Sequence, residues 1–157
     1  MSEKCKKAMT KEEINKFLSE EDTGYLAMCS ESIPYCVPVS YAFIDGKIMF
    51  HGALIGKKMD FLRKNPNVCF SVSRHPDKIK PHHTENWRSY RCESVICLGK
   101  AKIVEDLDEK YLKLSKFLSY FNARLEKPDE IPITKEVAEK ILCVEIEIEN
   151  STGKRKI

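Results

Sequence analysis

The chain has 157 residues, 42% of them hydrophobic and 32% charged, with a net charge of +3. This is one domain's worth of ordinary globular composition, and so small a charge does not by itself imply nucleic acid. No apolar run approaches the roughly 18 residues of a membrane span. The opening MSEKCKKAMTKEE has basic residues but no apolar stretch behind them, which argues against a signal peptide. Without a signal, the odd number of cysteines (seven) reads as reduced thiols in a cytoplasm.

The elements follow in chain order. Thr10-x-x-Glu13 fits a capping box, and Ile14, Phe17 and Leu18 fall on one face of the helix it opens. Gly24 is a plausible stop. Tyr25 to Cys29 reads as a short, mostly buried strand, and Glu31 to Pro34 as a turn. Tyr35 to Ile44 is a strand rich in Val, Tyr and Phe, with Pro38 restricting it to an edge, a bulge or a ligand-facing position. Asp45-Gly46 is a hairpin signal, and Lys47 to Ala53 pairs back. After Gly56 a helix carries Met59, Phe61 and Leu62 on its apolar side until Asn65-Pro66-Asn67 stops it.

Val68 to Ser73 is a strand. Arg74 to Arg88, polar and bearing three of the four histidines and the only Trp, reads as a long exposed loop. Glu93 to Val104 is a long strand in which Gly99 marks a bulge or a close backbone approach. Asp106 or Asp108 caps a helix carrying Tyr111, Leu112, Leu114, Phe117, Leu118 and Phe121. A short helix is expected at Thr134 to Lys140. Leu142, Val144, Ile146 and Ile148 alternate with Cys143, Glu145, Glu147 and Glu149, the pattern of a half-buried strand with a solvated glutamate face. Residues 1–9 and 151–157 read as flexible termini, the latter a basic tail. About six strands with hairpin connections and flanking helices predict a small antiparallel barrel in a single domain, since strands and helices do not alternate regularly.

The chemistry concentrates in Lys47 to Phe70. Gly56-Lys57-Lys58 opens a helix, where unpaired backbone N–H groups, the helix dipole and two ammonium groups suit a phosphate. The bland alternative is a surface helix with solvated lysines. His51-Gly52-Ala53 ends a strand, and its small residues leave room for a planar ring. His51 could orient or protonate a ligand, or be a structural histidine. The strand edge at Val37, Pro38, Val39 and Ser40 could face the same ring or simply be an ordinary edge.

In order and spacing, PYCVPVSYAFIDGKIMFHGALIGKKMDFLRKNPNVCFSV, RCESVICLGKAKIVED and VEIEIENSTGK resemble the pyridoxamine-5′-phosphate-oxidase-related flavin-nucleotide-binding proteins. The closest branch is that of the nitroimidazole-resistance reductases. The resemblance spans about Thr10 to Lys154. It implies a six-stranded split β-barrel, mainly β with flanking helices, and a homodimer holding FMN at its interface. By that resemblance Gly56, Lys57 and Lys58 hold the phosphate. Phe50, His51, Gly52 and Ala53 line the ribityl chain and ring. Val37, Pro38, Val39 and Ser40 lie along the isoalloxazine. Ser94 and Val95 contact flavin from its other side, from the partner subunit in one arrangement. His51 matches a substrate-side, catalytic position. The C-terminal Trp and Arg-Leu-x-Pro signature of true pyridoxamine-phosphate oxidases is missing, which argues against vitamin B6 oxidation.

The expected activity is electron transfer from reduced FMN to a small electron-poor acceptor such as a nitroimidazole. The alternatives are a non-catalytic flavin-binding or electron-transfer module, or a haem or deazaflavin binder on the same barrel, with His82 or His83 as an axial ligand. His75, His82, His83, Cys69, Cys92 and Cys97 match no compact metal spacing, so no metal site is expected. Arg74, Lys78, Lys80, Arg88 and Arg91 with Trp87 and Tyr90 read as an entrance loop or dimer contact rather than a nucleic-acid surface.

Overall fold

The computed structural model describes residues 7–75, 81–84, 87–128 and 131–156; for 81–84 and 87–90 it describes the backbone alone. Thr10 caps α1 (Lys11–Glu20) as its sequence implies. The Thr10 hydroxyl accepts from the Glu13 N–H, and the Glu13 carboxylate accepts from the Thr10 N–H. The helix ends before Gly24, which instead lies in β2 (Thr23–Ser30). A Cβ there would sit 2.3 Å from the Phe70 ring, so the position needs glycine for space.

β2 turns at Glu31 and Ser32, both at positive φ (52° and 62°), into β3 (Ile33–Ser40). β2 is half-buried rather than mostly buried, with Leu26 and Met28 inward and Tyr25 and Cys29 outward. The run expected as one strand over 35–44 is two. Tyr41 breaks it, because its side chain is fully buried and its hydroxyl donates to the Leu18 carbonyl at 2.8 Å. β4 (Ala42–Ile44) follows, then the Asp45-Gly46 turn (φ 53° and 75°) and β5 (Lys47–Ala53).

After α2 (Lys57–Lys64) come β6 (Asn67–Arg74), β7 (Pro81–Thr84), β8 (Trp87–Tyr90) and β9 (Cys92–Ile103). The expected 74–88 loop therefore contains a two-stranded hairpin. Asp106 caps α3 (Leu107–Asn122), Thr134 caps α4 (Lys135–Glu139), and β10 runs from Ile141 to Lys156. Residues 151–156 are thus not a tail. They pair with β9 and with β1 (Lys7–Ala8), because two neighbouring strands satisfy their backbone groups.

The main sheet is antiparallel, ordered β3-β2-β6-β9-β10-β5-β4, with β1 added at the far end of β10. It curls into a half-barrel with seven strands on this path instead of six, the extra one arising at Tyr41. Its concave side holds Leu26, Ile48, Phe50, Phe70, Val72, Val95, Val144 and Ile146, closed by Phe17 and Leu18 of α1 and by Met59 and Leu62 of α2. A second cluster lies outside the barrel, where Leu114 and Phe117 of α3 and Ala138 of α4 cover Ala42, Met49 and Cys143. The first half of β10 is therefore buried on both faces. Glu145, expected on a solvated row, is buried beneath α3 and hydrogen-bonded by Lys113 at 2.6 Å. Opposite Gly99, β10 bulges between Ile148 and Asn150, and a Cβ on Gly99 would lie 2.1 Å from the Glu147 carbonyl oxygen.

Candidate functional site

Strand β5 carries the centre of the site because its two faces belong to different environments. Side chains alternate across a strand. Ile48 and Phe50 point into the barrel and Met49 points at α3. Gly52 continues the barrel side, and a Cβ added there would meet Lys58 Nζ at 3.1 Å. His51 continues the α3 side, with its ring edge-on to Phe117 at 4.9 Å. Only Lys47, Ile48 and Met49 pair with β4, whereas pairing with β10 continues to Ala53. Phe50 to Ala53 thus run beyond the β4 pairing.

Gly56 sets the next feature. Its φ of 122° is open to glycine and strained for other residues. It turns the chain into α2, whose N-terminus has no side-chain cap, unlike α1, α3 and α4. The two lysines then diverge. Lys58 Nζ lies against Gly52 and 5.3 Å from the Phe50 ring centroid, and partial burial lowers its pKa. Lys57 Nζ sits 4.5 Å over the Tyr35 ring of β3, which in turn packs on Phe61 at 5.2 Å. Burial, and then the nearby Lys58 charge, push His51 below the ordinary histidine range.

The structure therefore brings together Tyr35 of β3, Phe50 to Ala53 of β5 and Gly56 to Lys58. Along β3, Pro38 and Ser40 face outward, while Val39 is buried and Val37 packs against the core. The Phe50 and Val95 side chains are also fully buried in the barrel, so these positions offer a ligand backbone rather than side chain. Ser94 and Val95 are not brought to the site within one chain. On β10, His51 pairs with Cys143 while Val95 and Ser94 pair with Gly153 and Lys154. That separation along the strand is on the order of 30 Å.

Sequence reasoning missed Tyr35 and Phe61 as the seat of Lys57. It read Phe117 only as a core position, although the apolar stripe of α3 does end beside His51. A separate cleft between α3 and the β4–β5 turn is lined by Met49, Leu112, Lys113, Lys116, Tyr120 and Glu145, and none of the expected site residues lines it. Among the described residues no Cys, His, Asp and Glu group is arranged to hold a metal. His82, His83, Trp87, Arg88 and Tyr90 have side chains outside the described residues, and Lys78 and Lys80 lie wholly outside them.

A curled antiparallel half-barrel, with a lysine-bearing, uncapped helix start against a glycine at a strand end, defines a split-barrel protein with a candidate anion site. The family model described as pyridoxamine 5′-phosphate oxidase matches residues 10–155, and the chain belongs to that family. A 5-nitroimidazole antibiotic resistance candidate of Bacteroides thetaiotaomicron shares the fold with a TM-score of 0.79 and 22% identity, over 96% of this chain and 87% of that one. The FAD and heme binding protein of Mycobacterium smegmatis does so with a TM-score of 0.80 and 16% identity, over 97% and 73%. An uncharacterised protein of Rhizobium meliloti is 31% identical over 67 residues, 43% of this chain and 44% of that relative. Among the described residues, no helix is long and apolar enough to cross a membrane.

Proposed function

We propose that this chain binds FMN at the β5–α2 junction and serves as an oxidoreductase for a small electron-poor acceptor such as a nitroimidazole. One observation carries the reading. The uncapped start of α2 and the Lys58 ammonium converge beside Gly52, in space that a side chain would fill. Backbone N–H groups and an ammonium together fit a phosphate monoester. Bound there, the flavin would supply the two electrons for the acceptor. The protein's own work is to fix the phosphate with Lys58 and the α2 N–H groups. It would also offer the backbone of Phe50 to Ala53 to the ring and present His51 as a neutral hydrogen-bonding group.

Homodimerisation belongs to this proposal. In this reading Ser94 and Val95, which lie far from His51 along β10, would reach the flavin from a second copy. The odd complement of cysteines suits a reducing, cytoplasmic setting.

The test is an absorption spectrum of the purified protein during titration with FMN, then with FAD, followed by identification of heat-released cofactor. Saturable FMN uptake that falls at least about tenfold in affinity in Lys57→Ala/Lys58→Ala is expected, since charge-assisted contacts to phosphate are the strong ones. Unchanged uptake in that variant overturns the phosphate site, and a Soret band redirects the reading to haem. A second reading, a flavin-binding module without a substrate, is favoured by the placement of His51 and Lys58 on opposite faces of β5. Turnover of nitroaromatic acceptors by the reduced protein separates the two.

A further inference from the structure

The cleft between α3 and the β4–β5 turn has a volume of about 750 Å³, the size of a small-molecule site. Ile44 and Met49 form its apolar surface on the sheet side, and Leu112 and Tyr120 form it on the helix side. Tyr120 is a fixed wall. Its hydroxyl donates to the Ser19 carbonyl at 3.1 Å, and the Arg124 guanidinium lies 3.6 Å from its ring centroid. None of His51, Lys57 and Lys58 lines this cleft, and the residue that α3 sets against His51 is Phe117.

Two ion pairs cross from α3 to the sheet, and they differ in kind. Lys113 reaches Glu145 of β10 at 2.6 Å and Glu109, one turn earlier on α3, at 3.5 Å. Lys47 lies 3.8 Å from the same Glu145. These groups satisfy one another and make one fixed polar end. Lys116 reaches Asp45 of the turn at 3.1 Å, but these side chains are 62% and 74% exposed. So exposed a pair contributes little to stability and opens readily.

Opening it leaves an ammonium on the helix wall and a carboxylate on the sheet wall, both beside the apolar surface. A ligand with a carboxylate and an ammonium on one carbon replaces both lost partners. Its carboxylate takes Lys116 and its ammonium takes Asp45. A simple anion or a simple cation satisfies one wall and leaves the other charge unpaired. The rest of the ligand then meets Ile44, Met49, Leu112 and Tyr120. A thioether and a held phenol ring favour an aromatic group over an aliphatic one, through sulfur–aromatic and ring–ring contacts.

We propose that this cleft binds a free aromatic α-amino acid. The site is separate from the β5–α2 junction and stands whether or not that junction holds a flavin.

Titration of the purified protein with L-tryptophan, followed by amide NMR shifts, tests this. Saturable shifts at Asp45, Lys116 and Ser119 are expected, with a dissociation constant of about 1 mM or tighter. Tryptamine lacks the carboxylate, indole-3-propionate lacks the ammonium, and N-acetyltryptophanamide carries neither charge. Each is expected to bind at least about tenfold more weakly. Asp45→Asn keeps the turn, because Asn accepts the positive φ of 53° as Asp does. Lys116→Met keeps a good helix former at an exposed position. Each variant is expected to retain its circular dichroism and to weaken tryptophan binding about tenfold. Absence of saturable shifts overturns the site. An analogue that binds as tightly as tryptophan overturns recognition of the zwitterion. Unchanged binding in both variants overturns the placement between Lys116 and Asp45. Lys57→Ala/Lys58→Ala is expected to bind tryptophan as the wild type does. Loss of binding there would move the amino acid to the β5–α2 junction and overturn the cleft, whereas FMN uptake tests that junction independently.

Discussion

Lys57 and Lys58 adjoin in sequence, yet their ammonium groups lie over different strands. Lys57 rests on the Tyr35 ring, an interaction worth about 0.5–1 kcal/mol at an exposed site, whereas Lys58 is held beside Gly52 and the α2 start. Lys58→Ala should therefore weaken FMN binding more than Lys57→Ala, and equal losses in a titration of the two single variants would refute the division. His51 adds a pH dependence. Burial and Lys58 lower its folded pKa below the unfolded value near 6.5, so the unfolded chain binds that proton more readily. Its contribution to stability is complete above about pH 6.5 and declines as pH falls through the lower folded value. Urea midpoints across this window should show a slope that His51→Phe removes, and Lys58→Met should raise the NMR titration midpoint of His51.

The elements show where sequence signals sufficed and where they failed. The Thr10 capping box and the Asp45-Gly46 turn are local devices, legible because neighbouring residues alone determine them, whereas Gly99 marked a close approach without naming its partner, Glu147 of β10. A Gly99→Ala change drives a Cβ onto the Glu147 carbonyl, and it should destabilise the protein by about 1–3 kcal/mol or more in urea denaturation. The Glu31-Ser32 turn has two positive φ values and no glycine, so Ser32→Gly should stabilise by about 0.5–1 kcal/mol. The break at Tyr41 and the burial of Glu145 were illegible. Each depends on a distant partner, the Leu18 carbonyl in one case and Lys113 in the other. Glu145→Ala leaves Lys113 its second partner, Glu109 at 3.5 Å, and should cost about 1–2 kcal/mol, the scale of a lost charged hydrogen bond. A double-mutant cycle with Lys113→Met should recover part of that loss.

At the scale of the molecule, the curled antiparallel sheet could be read from hairpin connections and strand patterning, and the β5–α2 junction from its glycine and lysines. The division of β5 between a barrel face and an α3 face could not, because periodicity says that residues alternate and not what covers each side. Nor could the distance between His51 and Ser94, which the long pairing of β9 with β10 creates. That pairing has a consequence for how the chain is made. β10 follows every one of its sheet neighbours in the chain yet sits between β9 and β5. Until residues 141–156 leave the ribosome, the nascent chain can hold only two unjoined pieces, the β4–β5 hairpin and the β3-β2-β6-β9 ribbon, each with an unpaired border. Closure is then a late event that must bring together segments about a hundred residues apart, such as Phe50 and Val144. Pairings of such long range fold slowly. A chain stalled at residue 140 should remain protease-sensitive on the ribosome, and one extended past Lys156 should become resistant.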